Sequence, residues 1–212
     1  MNKAKKQVSK NFLSGRGQGK SAGKIRIIAG KYKGRKLPVL MAEGLRPTTD
    51  RVKETVFNWL MPYINQANCL DCFAGSGSLG FEALSRGAGK VTLVELNRSA
   101  AKQLLDNKDL LEADNLTVVH SDALSFIKDG VLKQKTTDTI TQLFDLVFLD
   151  PPFRKQLVEQ AAQLLNQNVL ADQALIYVEM EAESTQAIPE NWQLLKEKKS
   201  GQVVYQLYQY ET

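Results

Sequence analysis

Leu70-Asp71-Cys72-Phe73-Ala74-Gly75-Ser76-Gly77-Ser78-Leu79-Gly80 carries the chain's most informative pattern. An apolar run reaches an acid at Asp71, and Gly75, Gly77 and Gly80 then match G-x-G-x-x-G. That spacing fits a strand turning tightly into a helix whose first N–H groups face a ligand. The next apolar run ends in Glu95, 20 residues beyond Gly75. Two ligand classes share this pattern. A dinucleotide sets a diphosphate against the helix N-terminus, whereas S-adenosylmethionine (SAM) brings no phosphate but an ammonium, a carboxylate and a sulfonium. Asp71 would repel the diphosphate and attract the ammonium, so the charge favours SAM.

Strand-like and helix-like segments alternate from Asn68 onward, which predicts a mostly parallel sheet covered on both faces. The strands are read as Cys69–Phe73, Lys90–Glu95, Leu116–Ser121, Phe144–Asp150 and Ala174–Glu179, followed by Trp192–Lys199 and Val203–Tyr210. Ser200-Gly201 between the last two predicts an antiparallel hairpin. Helical spacing covers about 78–86, 98–112 and 154–170, with a shorter stretch at 124–128 and a polar loop at 134–141. Upstream, Val52, Val56, Trp59, Leu60 and Tyr63 recur at helical spacing behind Asp50, the expected N-cap. The fold class is thus α/β and Rossmann-like, with seven strands.

Ligands of such sheets gather at the carboxyl ends of the strands. Glu95 is placed there to accept from both ribose hydroxyls. Asp122, after the third strand, is placed to accept from the adenine amino group, with the Ala123 backbone beside the ring; Phe73, Ala74, Gly75 and Gly77 form the turn against the ligand. The fourth strand ends in Asp150-Pro151-Pro152-Phe153. An exocyclic base amine is a poor nucleophile, because its lone pair is delocalised into the ring. The Asp150 carboxylate and Pro151 carbonyl can accept its N–H groups and favour pyramidalisation. Pro152 adds no competing N–H, and Phe153 can stack on the base.

Charge is uneven along the chain. Residues 1–42 hold 12 of the 28 Lys/Arg and no acid, leaving 16 basic side chains against all 23 acidic ones in the remainder. The basic segment implies a polyanion partner. The N-terminal region comprises a tail, 1–23, expected to be disordered when free, and a basic β-hairpin or arm, 24–45, in which Lys24, Arg26, Lys31, Lys33, Arg35 and Lys36 are the candidate RNA contacts. Residues 46–212 are read as the SAM-dependent domain. No apolar run has the length of a membrane span or signal peptide, which places the protein in the cytoplasm. Beyond Cys69 and Cys72 there is no further cysteine and only one histidine, His120, so a zinc site would lack ligands and no metal is expected.

These motifs, together with Arg46-Pro47-Thr48-Thr49-Asp50-Arg51-Val52-Lys53-Glu54 and the arm at 25–34, resemble the RsmD family of bacterial small-subunit ribosomal RNA guanine-N2 methyltransferases. The resemblance spans about residues 24–210. It implies the seven-stranded SAM-dependent methyltransferase fold, SAM as cofactor, the N2 amine of a 16S ribosomal RNA guanine as target and a partly assembled small subunit as substrate. It also implies that Arg46 and Thr48 lie against the methionine part of SAM. DNA adenine-N6 methylation uses the same loop but usually with a target-recognition insertion, and glutamine methylation usually has Asn at the position of Asp150. An RNA-binding assembly factor with a decayed pocket and an NAD-dependent dehydrogenase complete the alternatives.

Overall fold

The computed structural model describes residues 23–40, 49–136, 143–167 and 169–212. Strands β3 (Asn68–Asp71), β4 (Lys90–Glu95), β5 (Leu116–His120), β6 (Phe144–Leu149), β7 (Leu170–Glu181), β8 (Trp192–Ser200) and β9 (Val203–Tyr210) form one sheet in the order β5-β4-β3-β6-β7-β9-β8. The first five of these are mutually parallel; β9 runs antiparallel between β7 and β8. This is the expected α/β arrangement. Because β4 and β6 flank β3 on opposite sides, the chain reverses its direction of winding there, and a crevice opens at the carboxyl ends of these strands.

Alternation along the strands sends side chains into two separate apolar layers. Cys69, Phe148, Leu175 and Tyr177 pack with residues of α1 (Asp50–Leu60), α2 (Ser78–Ser85) and α3 (Arg98–Leu111). Leu70, Val147, Ile176 and Val178 pack on the other face against α4 (Ala123–Thr136) and α5 (Leu157–Leu165). The central strands are buried on both sides, which is why they read as continuous apolar runs.

Strands β1 (Gly23–Arg26) and β2 (Lys36–Val39) form the basic hairpin. Its alternate residues Ile25, Ile27, Leu37 and Val39 belong to the same apolar layer as α1–α3, so it is built onto the domain. Buried Glu82 of α2 accepts the Ile28 and Ala29 N–H groups at 2.8 and 3.1 Å and pairs with Arg86 at 2.7 Å. Ser85 accepts the Tyr32 N–H and donates to the Ala29 carbonyl. The buried Lys53 ammonium donates to the Arg26 carbonyl at 2.6 Å. Gly30 has φ +81°, and a Cβ there would stand 1.8 Å from the Ser85 carbonyl oxygen, so only glycine admits this approach.

Several element bounds differ from the sequence reading. Thr49, not Asp50, caps α1, its hydroxyl accepting from the Val52 N–H; Asp50 is the first helical residue. Phe73, Ser121 and Asp150 lie just past their strands. The helix expected over 154–170 is confined to Leu157–Leu165, because Arg154 and Gln156 take left-handed backbone, at φ 63° and 52°. The short helix at 124–128 is α4, which continues to Thr136 and takes in the start of the expected loop; 137–142 lie outside the described residues. So do Arg46, Thr48, residues 41–45 of the arm and 1–22 of the tail, whose last residue, Gly23, opens β1.

Candidate active site

The glycine turn is fixed by backbone geometry and close packing. Gly77, at φ +76°, caps α2, and a Cβ on it would lie 2.6 Å from Leu104 and Phe81. Gly80 meets β4 so closely that a Cβ would stand 2.1 Å from Leu93. This is the packing role of the third glycine. At the end of β3, buried Asp71 accepts the Gly80 N–H at 3.2 Å and the Phe73 N–H. Burial, with the nearby Glu95 charge, pushes its carboxyl up to about 7 despite those hydrogen bonds. Ser78, the first residue of α2, has a buried hydroxyl with no hydrogen-bond partner among the described residues.

Glu95, at the end of β4, braces the turn: its Oε2 accepts the Gly75 N–H at 2.8 Å and its Oε1 the Asn97 N–H at 2.7 Å. Each oxygen keeps a second lone pair for a ligand hydroxyl. Exposed Asp122, after β5, uses Oδ1 to accept the Ser125 N–H at 2.9 Å at the start of α4, and Ala123 is buried behind it. Asp71 and Glu95 end β3 and β4 and Asp122 follows β5, so the three acids stand at the carboxyl ends of three adjacent parallel strands.

Asp150 follows β6, the strand on the other flank of β3. Its carboxyl is held well above the usual carboxylate range, first by loss of water and then by the charges of Glu179 and Asp71. Pro151 is buried and Pro152 exposed. Phe153, three residues beyond Asp150, leaves 40% of its surface open. The left-handed Arg154 that follows donates its N–H to Glu181 of β7, which holds the loop in this costly conformation.

No sequence motif marks Glu179. This residue of β7 is only 9% exposed, and Tyr177 donates its hydroxyl to Oε2 at 3.0 Å. A lone acid inside the otherwise uncharged run Ala174–Met180 is the available signal, since an unpaired charge is costly to bury.

The basic side chains Lys24, Arg26, Lys31, Lys33, Arg35 and Lys36 are all exposed on the hairpin. Arg26 pairs with Asp50 at 2.8 Å, Arg35 donates to the Leu110 carbonyl, and Lys31 stands 4.9 Å over the Tyr32 ring. Cys69 and Cys72 are buried free thiols in opposite apolar layers, and burial raises both above the ordinary thiol range. Two open hollows, lined by residues such as Tyr63, Asp145 and Ala174 or Asn68, Lys90 and Asn115, lie at the amino ends of the strands, away from these groups. Among the described residues no helix is long and apolar enough to cross a membrane, and no cluster of His, Cys, Asp and Glu is arranged to hold a metal.

Residues 25–209 match the family described as "Conserved hypothetical protein 95". A Haemophilus influenzae protein named ribosomal RNA small subunit methyltransferase D is 55% identical over 190 residues, covering 88% of this chain and 94% of that one. A solved Escherichia coli structure, described as a candidate methyltransferase, superposes with a TM-score of 0.78 at 52% identity, over 90% of this chain and 99% of that one. A more distant Streptococcus mutans structure, described as a candidate SAM-dependent methyltransferase, is 15% identical and gives a TM-score of 0.65 over 91% of this chain and 56% of that one; it bears on the fold alone. The seven-stranded sheet is the SAM-dependent methyltransferase fold, and the chain belongs to the RsmD family, that of ribosomal RNA small subunit methyltransferase D.

Proposed function

We propose that the protein transfers a methyl group from SAM to the exocyclic N2 amine of a guanine in 16S ribosomal RNA, within a partly assembled small subunit in the cytoplasm. The observation that carries this reading is the Asp150-Pro151-Pro152-Phe153 loop, whose raised carboxyl and open aromatic face stand at the carboxyl end of β6, one strand from the glycine turn. The Haemophilus relative's name supports ribosomal RNA as the substrate.

The residues fit SAM by their chemistry. A buried acid and an orphaned hydroxyl at the glycine turn suit a ligand head that carries both an ammonium and a carboxylate. In this reading Asp71 holds the ammonium, Glu95 the ribose hydroxyls and Asp122 the adenine amine. Ala123 lies beside the ring, Phe73, Ala74, Gly75 and Gly77 form the wall, and Arg46 and Thr48 meet the methionine part. When bound, SAM supplies a methyl group on positively charged sulfur. Asp150 and the Pro151 carbonyl accept the target amine's N–H groups, Pro152 leaves those acceptors without a competitor, and Phe153 stacks on the base. A carboxyl whose affinity for protons is raised is also a better acceptor for the proton that the amine must shed.

Protonation of Asp71 gives a pH test. Its folded pKa lies above that of an unfolded aspartate, about 3.9, so the free protein binds the extra proton, and loses stability as pH rises, between about pH 4 and 7. A cationic ligand needs the ionised form. SAM should therefore bind about five- to tenfold more weakly at pH 6 than at pH 7.5, with proton release on binding, and Asp71→Asn should flatten the profile. Calorimetry in buffers of different ionisation enthalpy measures both; a pH-independent affinity in the unaltered protein would rule out this role for Asp71.

For the basic hairpin, replacing Lys24, Lys31, Lys33 and Lys36 by Ala together should weaken RNA binding and flatten its salt dependence. Each phosphate left without its lysine takes about 0.7 to 0.9 off the logarithmic slope. These four are exposed, and SAM binding should persist. An unchanged slope would assign RNA to another surface.

The function itself is tested by offering labelled SAM with unmodified small subunits, free 16S ribosomal RNA and duplex DNA, then identifying the product by mass spectrometry. N2-methylguanosine in the ribosomal RNA is expected. N6-methyladenine in DNA, or no transfer, would overturn the reading.

A further inference from the structure

Glu179 is a buried carboxylate to which the mechanism above gives no task and which, unlike Glu82, pairs with no cation among the described residues. Residues 149 and 178 are the last partners in the parallel pairing of β6 with β7, so Asp150, just past β6, comes beside Glu179 of β7, close enough for the Glu179 charge to act on its carboxyl. Both continue the face on which Phe148 and Tyr177 meet edge to face, their ring centroids 6.3 Å apart. The Tyr177 hydroxyl takes one oxygen, Oε2, and so orients the carboxylate; Oε1 has no hydrogen-bond partner among the described residues. The carboxyl is pushed up to about 6 by burial, and its charge in turn raises that of Asp150. Two acids placed side by side in poorly hydrated surroundings are costly to the free protein. Adjacent N–H donors on one substrate would satisfy both.

We propose that Glu179 selects guanine, its carboxylate accepting the N1–H of the target base while Asp150 accepts from the N2 amine. This rests on the proposed reaction. Among the amino-bearing bases, only guanine has an N–H next to the amine. In adenine the neighbour of the N6 amine is the N1 lone pair, and in cytosine the neighbour of the N4 amine is the N3 lone pair. A carboxylate facing either lone pair would be repelled, so the same side chain binds guanine and rejects its competitors. Phe153 stacks equally well on any base and leaves this choice to the acid.

The test uses the full-length protein and follows identification of the modified guanine by the assay above. If no guanine is methylated there, the reaction itself fails; the experiment that follows asks only about Glu179. Two RNAs are made, one with guanine at that position and one with 2,6-diaminopurine, which keeps the 2-amine but replaces N1–H with a lone pair. Single-turnover rates and SAM affinities are measured for the unaltered protein and for Glu179→Gln. The unaltered protein should prefer guanine by about tenfold or more. Glu179→Gln should slow guanine methylation about tenfold to fiftyfold, leave SAM affinity within about twofold, and erase or invert the preference, because its amide N–H₂ can donate to the N1 lone pair. A merely structural role would lower both rates and leave their ratio alone, which would overturn the proposal. Should the variant fail to fold, equal rates on the two RNAs with the unaltered protein would overturn it, and a strong guanine preference would support it.

Discussion

Asp150→Ala is expected to slow methyl transfer in a single turnover by about 10² to 10³, the scale of losing one preorganised electrostatic group, with SAM affinity nearly unchanged. The amine becomes nucleophilic only as it turns pyramidal, and it grows positive as the new bond forms. In the proposed reaction Asp150 would meet both demands with one carboxylate, accepting an N–H and opposing the developing charge. Its surroundings strengthen the effect, because loss of water and the Glu179 and Asp71 charges raise its affinity for a proton. Asp150→Asn keeps an acceptor oxygen and loses the charge, so its rate should fall between those of Ala and the unaltered protein. Single-turnover measurement is needed because steady-state rates can report product release. Near-normal chemistry in Asp150→Ala would reduce the loop to scaffolding.

Glu95→Ala should weaken SAM binding by about 2 to 4 kcal/mol, roughly thirty- to a thousandfold. Two losses combine. The ribose hydroxyls lose a charged acceptor, and the Gly75 and Asn97 N–H groups, now accepted at 2.8 and 2.7 Å, lose the partner that fixes the turn. Glu95→Gln should be milder, since its single acceptor oxygen retains one of these bonds. Calorimetry that finds unchanged affinity in Glu95→Ala would defeat the assignment.

The parts of this site that are legible in the sequence are those written in local spacing. Gly75, Gly77 and Gly80 follow from the turn they must make, and Glu95 and Asp150 end apolar runs whose length marks them as strands. β4 and β9 have the bounds that alternation and turn residues predict, because a strand covered on its faces shows its ends by where apolar residues stop. What sequence hides depends on register between distant segments. Glu179 gains its meaning only when β6 and β7 pair so that it stands beside Asp150, and about thirty residues separate the two. The basic hairpin is legible by its charges, whereas the structure shows Ile25, Ile27, Leu37 and Val39 on its inner face joining it to the core. The helix expected from residue 154 begins only at Leu157, because the hydrogen bond from Arg154 to Glu181 favours a left-handed backbone that helical periodicity does not reveal.

If the carboxyl ends of β3, β4 and β6 bind SAM and present a guanine amine to Asp150, cells that lack this protein should carry one fewer N2-methylguanosine per 16S ribosomal RNA molecule. Digesting their small-subunit ribosomal RNA and counting that nucleoside by mass spectrometry reads the difference. The missing nucleoside should return with the unaltered protein and not with Asp150→Ala. An unchanged count, or full restoration by the Asp150→Ala protein, would contradict both the reaction and the role of its acid.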